Sequence, residues 1–328
     1  MTCPHRLALL LIACAPLAAC KAPKILCTTA HAGVANVPFA VKYTEAKLVS
    51  GTGDCDKLKG GFVGVESYVN GGQEKAPSFP KPPVSIRAGE VGTLADEYGV
   101  DMPARMLTST GTFLDERPGD DGFCKVGALT PVALTLPAVP ATTDPMTMKT
   151  SPALPAMSVK YEWSNVAFYV SPSVIGTQFK ADLTYTKDGC TATYKVVALY
   201  PGVSCEKTVP VTSCDGETTD EGTGMPNDEA CSPCADPAKG RATGSGIGPD
   251  LDVACDPDVL LCLPKSAVPS LRKTTIECGG ESAPPADAAA VAPPAAPTCL
   301  DAAPMEAGGG VDAGAALDTG ATDTGAGG

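Results

Sequence analysis

Three observations predict an all-β chain, antiparallel and sandwich-like, with a cysteine-rich loop region and a disordered Ala/Pro/Gly C-terminal tail. Between Gln178 and Tyr200 apolar and polar residues alternate with a period of two. Phe179, Ala181, Leu183 and Tyr185 are followed by Cys190, Ala192, Tyr194, Val196, Ala198 and Tyr200, as expected of strands with one buried face. Glycine (35) and proline (32) are abundant while aromatic residues make up 5%, a balance suited to short strands and turns rather than a helical bundle. Residues 279–328 contain no Lys, Arg or aromatic side chain, so they cannot bury enough apolar surface to offset chain entropy.

At the N-terminus a basic start at Arg6 precedes an apolar run from Leu7 to Pro16. That run is shorter than the roughly 20 residues a membrane-spanning helix needs, and it ends in small residues as a cleaved leader does. Leu17-Ala18-Ala19-Cys20 resembles the lipobox of bacterial lipoproteins. The resemblance implies diacylglyceryl attachment to the Cys20 sulfur, cleavage before it and N-acylation of the new terminus. The rival cleavage after Ala13-Cys14-Ala15 leaves Pro16 first, which ordinary signal peptidase tolerates poorly. Several acyl chains on one residue give effectively permanent anchoring. Lys21 after the lipid site, in place of Asp, fits an outer-membrane destination. The expected partition is a signal peptide at 1–19, a lipid-anchored tether at 20–37, a β-sandwich-like domain at 38–213, a cysteine-rich stapled region at 214–278 and the tail at 279–328.

The β elements follow in order. Phe39, Val41 and Tyr43 alternate with Ala40, Lys42 and Thr44 as a first strand, and Gly51-Thr52-Gly53 turns the chain. Phe62 to Val69 resumes a strand, Pro77 to Pro83 reads as a loop, and Val84 to Arg87 as a short strand. Thr93 to Tyr98 fits one or two helical turns closed by Gly99. The recurrent prolines of Thr130 to Pro155 read as a linker or, preferably, an extended sheet edge. Tyr161 to Val170 is a strand holding the lone Trp163, with a change of phase near Ser164-Asn165 that indicates a bulge. The 178–200 segment is a hairpin whose three-residue loop, Lys187-Asp188-Gly189, ends in a left-handed Gly189. Val259 to Leu263 is a short strand among loops.

The leader removes Cys3 and Cys14, and Cys20 takes the lipid. Twelve cysteines remain: Cys27, Cys55, Cys124, Cys190, Cys205, Cys214, Cys231, Cys234, Cys255, Cys262, Cys278 and Cys299. In an oxidising compartment they form up to six disulfides, of connectivity that spacing does not fix, each contributing about 2–4 kcal/mol.

Cys231-Ser232-Pro233-Cys234 has the spacing of redox and zinc sites and resembles the thioredoxin-type motif through its proline. The preceding residues are polar and turn-forming, so the strand-to-helix context that activates a thiol is missing, and no second pair at zinc spacing follows. Structural disulfides are the expected role. Asp318-Thr319-Gly320 and Asp323-Thr324-Gly325 look like the Asp-Thr-Gly signature of aspartic proteases, whose two loops sit on separate lobes. Here they lie five residues apart in the tail and read as low-complexity repetition. The acidic stretch Asp215, Glu217, Asp220, Glu221, Asp228 and Glu229 lacks EF-hand order, and Gly244-Ser245-Gly246-Ile247-Gly248 lacks the Lys-Ser/Thr ending of a phosphate cradle. His31 is the only histidine after the leader, which removes multi-histidine metal chemistry and leaves one residue for any triad.

A net charge of −13 with no basic stripe argues against a nucleic-acid partner. No cofactor or metal is expected. The reading is a lipid-anchored envelope protein with a binding or structural role and an unassigned protein or glycan partner. The alternative is a secreted hydrolase using a carboxylate pair on envelope polymers.

Overall fold

The computed structural model describes residues 25–30, 37–68, 81–143, 145, 146, 148, 150–212, 218–237, 241 and 243–278. The leader, Cys20, His31, Cys214, Cys299, the Asp-Thr-Gly repeats and the 279–328 tail lie outside them. The chain divides into two compact units, Met1–Val209 with Glu221–Pro284, and Pro210–Asp220 with Pro285–Gly328. Described residues of the second unit are the hairpin tip at 210–212 and 218–220, where the Thr212 and Thr218 hydroxyls lie 3.0 Å apart.

The larger unit is antiparallel β, as expected, and its sheet closes on itself. In chain order it contains β1 (Phe39–Ser50), β2 (Gly60–Ser67), β3 (Pro83–Ala88), helix α1 (Gly89–Glu97), β4 (Ser109–Thr112), β5 (Phe123–Lys125) and β6 (Val132–Leu136). A small pair follows, β7 (Thr142–Thr143) and β8 (Thr150–Ser151), and then the long strands β9 (Met157–Val170), β10 (Ile175–Lys187) and β11 (Cys190–Leu199). The order in space is β4-β3-β2-β1-β11-β10-β9-β5, with β6 further along β9. Residues 109–114 then pair with 125–130: Phe113 bridges Val126, and Leu114 N donates to Lys125 O, Gly127 N to Thr112 O and Thr130 N to Thr110 O at 2.8–2.9 Å. Neighbours in sequence are thus neighbours in space all the way round, and β11 returns to β1. The two greasy faces of a sandwich are here opposite walls of one up-and-down barrel, which leaves no long open edge.

Bulges supply the curvature. Asn165 sits at φ 52° where β9 shifts register against β10, and Glu45 at φ 51° where β1 shifts against β11. A bulge increases local twist and bends its strand. Inward-facing residues fill the interior with rings. Phe168 lies 5.0 Å from Phe179, 5.9 Å from Phe113 and 6.4 Å from Phe39 by ring centroid. Tyr161 lies 5.0 Å from Tyr185 nearer the other end.

Helix α1 covers that end, inserting Val91, Leu94 and Ala95. It begins four residues before the expected Thr93, because Gly89 and Gly92 in its first turn are poor helix formers that conceal the 3.6 period. Gly99, at φ 62°, follows the helix as anticipated. The β10–β11 turn is tighter than expected. Lys187 pairs with Cys190, leaving a two-residue loop in which Asp188 (φ 49°) and Gly189 (φ 81°) are both left-handed, the type I′ geometry that Asp-Gly favours. The 130–155 segment is wall rather than linker at its start, since β6 pairs with Met157 to Tyr161 of β9.

Beyond β11 the chain forms the hairpin of β12 (Glu206–Thr212) and β13 (Thr218–Pro226) and that of β14 (Val253–Asp256) and β15 (Leu261–Pro264). The latter lies on the barrel's outer face, where Leu261 and Leu263 pack with Ala40, Phe62 and Val259. Gln178, fully buried, holds the following loop like a strand partner: Nε2 donates to Ser270 O (3.1 Å) and Oε1 accepts from Ser270 N (2.8 Å).

Candidate functional site

The tether enters the end of the barrel opposite α1 and is fixed there at every residue from Cys27 to Ala30. Cys27 is buried and bonded to Cys124 of β5, and its N–H donates to Glu116 O at 2.8 Å. Thr29 uses both its backbone N and its hydroxyl, each 3.0 Å from the Ser67 hydroxyl at the end of β2. Ala30 N donates to Gly176 O at 2.9 Å. Gly176, at φ 63°, runs beneath the tether so closely that a Cβ there would meet Thr28 O and stand 2.7 Å from the Thr29 Cα. Only glycine permits both the conformation and the approach.

On the outer wall, between the two bulges, is a cleft of about 310 Å³ lined by Glu45, Lys47, Ser164, Asp182, Thr184, Thr193 and Lys195. A row across four strands builds it, because Thr44 on β1 opposes Lys195 on β11, which opposes Asp182 on β10, which opposes Ser164 on β9. Asp182 accepts from Lys195 Nζ at 2.7 Å and from Asn165 Nδ2 at 2.6 Å. Burial pushes its carboxyl up, but the hydrogen bonds from Lys195 and Asn165 outweigh this and hold it below the ordinary carboxylate value. The Asp182 hydrogen bond and charge in turn raise the Lys195 amine. A carboxylate kept ionised is suited to holding a polar ligand. It is the reverse of the raised acid that glycoside cleavage demands.

A second carboxylate, Glu90 of α1, faces the barrel interior and accepts hydrogen bonds from the Tyr161 hydroxyl and, at 3.4 Å, from the Tyr185 hydroxyl. Burial foremost, and then neighbouring charge, push Tyr43, Tyr161 and Tyr185 well above the ordinary phenol value. The group is a satisfied polar knot beneath the helix.

The structure joins ten of the twelve candidate cysteines as Cys27–Cys124, Cys55–Cys190, Cys205–Cys255, Cys231–Cys262 and Cys234–Cys278. The Cys-x-x-Cys pair is therefore split between two distant partners. The sulfurs of Cys205, Cys231 and Cys262 lie within 4.8 Å of one another, yet each is consumed in a disulfide and offers no thiolate to a metal. Gly244 to Gly248 packs on that motif, with Ser245 N donating to Ser232 O at 2.9 Å and Ile247 buried. Within the acidic stretch, Asp228 accepts from Cys255 N at 2.8 Å, a fold-internal role.

The MlpA family model matches residues 37–201, the span from just before β1 to just after β11, so the matched unit and the barrel coincide. The chain belongs to the MlpA family. The match covers about half of the chain, leaving the tether and the disulfide-rich segment after β11 outside the MlpA unit. A relative from Myxococcus xanthus named "Putative lipoprotein MlpA" is 27% identical over 218 residues, which cover 64% of this chain and 72% of the relative. No solved structure matches. Asp182 and Lys195 were legible only as polar positions of two alternating strands; the expected three-residue loop would set Asp182 opposite Tyr194, and the two-residue turn is what brings it opposite Lys195. Ser67 and Gly176 carried no local signal, because their role arises from a tether about 40 and about 150 residues away.

Proposed function

We propose that the protein is a lipid-anchored component of the bacterial envelope whose barrel serves a binding or structural role, with acylated Cys20 as its anchor. The family match to a lipoprotein carries the reading, and Leu17-Ala18-Ala19-Cys20 supplies the chemistry of attachment. The packed aromatic interior favours a rigid platform over an internal ligand carrier. Polar recognition then falls to the outer-wall cleft, whose mixed charges suit a polar protein or glycan segment. The absence of Asp after Cys20 directs the anchor to the outer membrane.

Intact-mass analysis of protein from a bacterial host should find a mature chain that begins at Cys20 and carries acyl chains. Cys20→Ala should shift it from the membrane to the soluble fraction. A mature chain beginning elsewhere without acylation overturns the proposal.

A further inference from the structure

The tether end of the barrel carries an arrangement that its anchoring alone does not require. Residues 27–30 are held across the barrel mouth by a disulfide and five hydrogen bonds. Cys20 stands five residues before Ile25, and at about 3.3–3.6 Å per residue that link spans at most roughly 18 Å. An anchor at Cys20 therefore brings this end, and not the α1 end, to the bilayer.

Around the mouth four large apolar side chains stand half exposed: Leu26 (51%), Tyr68 (50%), Leu114 (44%) and Ile175 (51%). They come from four places the topology gathers at one end, namely the tether itself, the end of β2, the residues after β4 and the start of β10. Leu48, Val49 and Met106 are also exposed towards the opposite end, so apolar exposure does not by itself select a face. The short link does.

We infer that Leu26, Tyr68, Leu114 and Ile175 form a membrane-contact rim that sets the barrel mouth-down on the bilayer holding its own anchor. The inference rests on acylation of Cys20. Aliphatic side chains gain by leaving water at the headgroup boundary, and tyrosine suits that zone because its ring is apolar and its tip polar. The adjoining loop holds Asp115, Glu116, Asp120 and Asp121 against Arg117. Anionic lipid repels this loop, so the rim fits a zwitterionic surface.

The test compares hydrogen exchange of the acylated full-length protein in phosphatidylcholine/phosphatidylethanolamine vesicles and in detergent, after intact mass has verified the acyl chains. Vesicles should add protection at 26–30, 113–117 and 174–176, and leave 47–50 and 104–106 unchanged. A variant carrying L26S, Y68S, L114S and I175S should stay vesicle-bound through its lipid and lose the added protection, while the β9–β11 amides retain theirs as proof of folding. Replacing part of the lipid with phosphatidylglycerol should reduce the protection. A protein without acyl chains defeats the anchoring proposal. An acylated, vesicle-bound protein with no added protection at the mouth, or with protection at the opposite end, defeats the rim.

Discussion

Tyr161 shows how much a single hydroxyl can carry in a packed barrel. It donates to Glu90, so that a carboxylate facing the core has a partner. Tyr161→Phe keeps the ring and deletes the donor. Removing a hydrogen bond to a charged group costs about 1.5–3 kcal/mol, and that loss of unfolding free energy should appear in urea denaturation. Tyr185→Phe, with its longer contact of 3.4 Å, should cost less. The tyrosines were legible as inward-facing positions of alternating strands. Their carboxylate partner was not, because Glu90 comes from a helix whose glycine-rich first turn carries no period.

At the scale of elements, the tether behaves as part of the barrel. The Cys27–Cys124 bridge joins residues 97 apart, and a loop of that length is worth up to about 4–5 kcal/mol through the unfolded chain. The double variant C27S/C124S should lose stability of that order. Its Thr29 and Ala30 amides should exchange faster while the β10–β11 ladder keeps its protection, since no strand pairing there depends on the bridge. The long strands β9, β10 and β11 were readable because their period extends over ten or more residues. Strands β4 and β5 were not, with four and three residues. Ser109-Thr110-Gly111-Thr112 shows no alternation, and its pairing is decided by what closes on it. The bulge at Asn165 was announced by a break in phase, whereas that at Glu45 lies where β1 turns wholly exposed, so no buried face remains to show a change of phase.

For the whole molecule, alkaline pH should be the first chemical stress to be felt. Burial lowers the Lys42 amine, but hydrogen bonds to Asp256 (2.5 Å) and Asp258 (3.2 Å) outweigh this and raise it above its ordinary value. The buried tyrosines are also raised. In each case the folded state holds its proton more tightly than the unfolded chain. The stabilisation is complete below the unfolded values of about 10–10.5 and is lost as pH rises through the folded ones. Urea midpoints should therefore stay level between pH 8 and 10 by this account and fall above it. Lys42→Met should be less stable at pH 8 and show a shallower alkaline decline. Sequence made the antiparallel class and the lipoprotein relationship plain, because both are written in local patterns. Closure into a barrel and the pairing of cysteines depend on contacts far apart in the chain, so they became visible only in three dimensions. The seam between β1 and β11 has a temporal corollary. Phe39–Ser50 cannot find its final neighbour until Cys190–Leu199 is present. The wall must stay open while the intervening 139 residues are added, so the arrival of the last strand, and not of the first, sets the moment at which it zips shut.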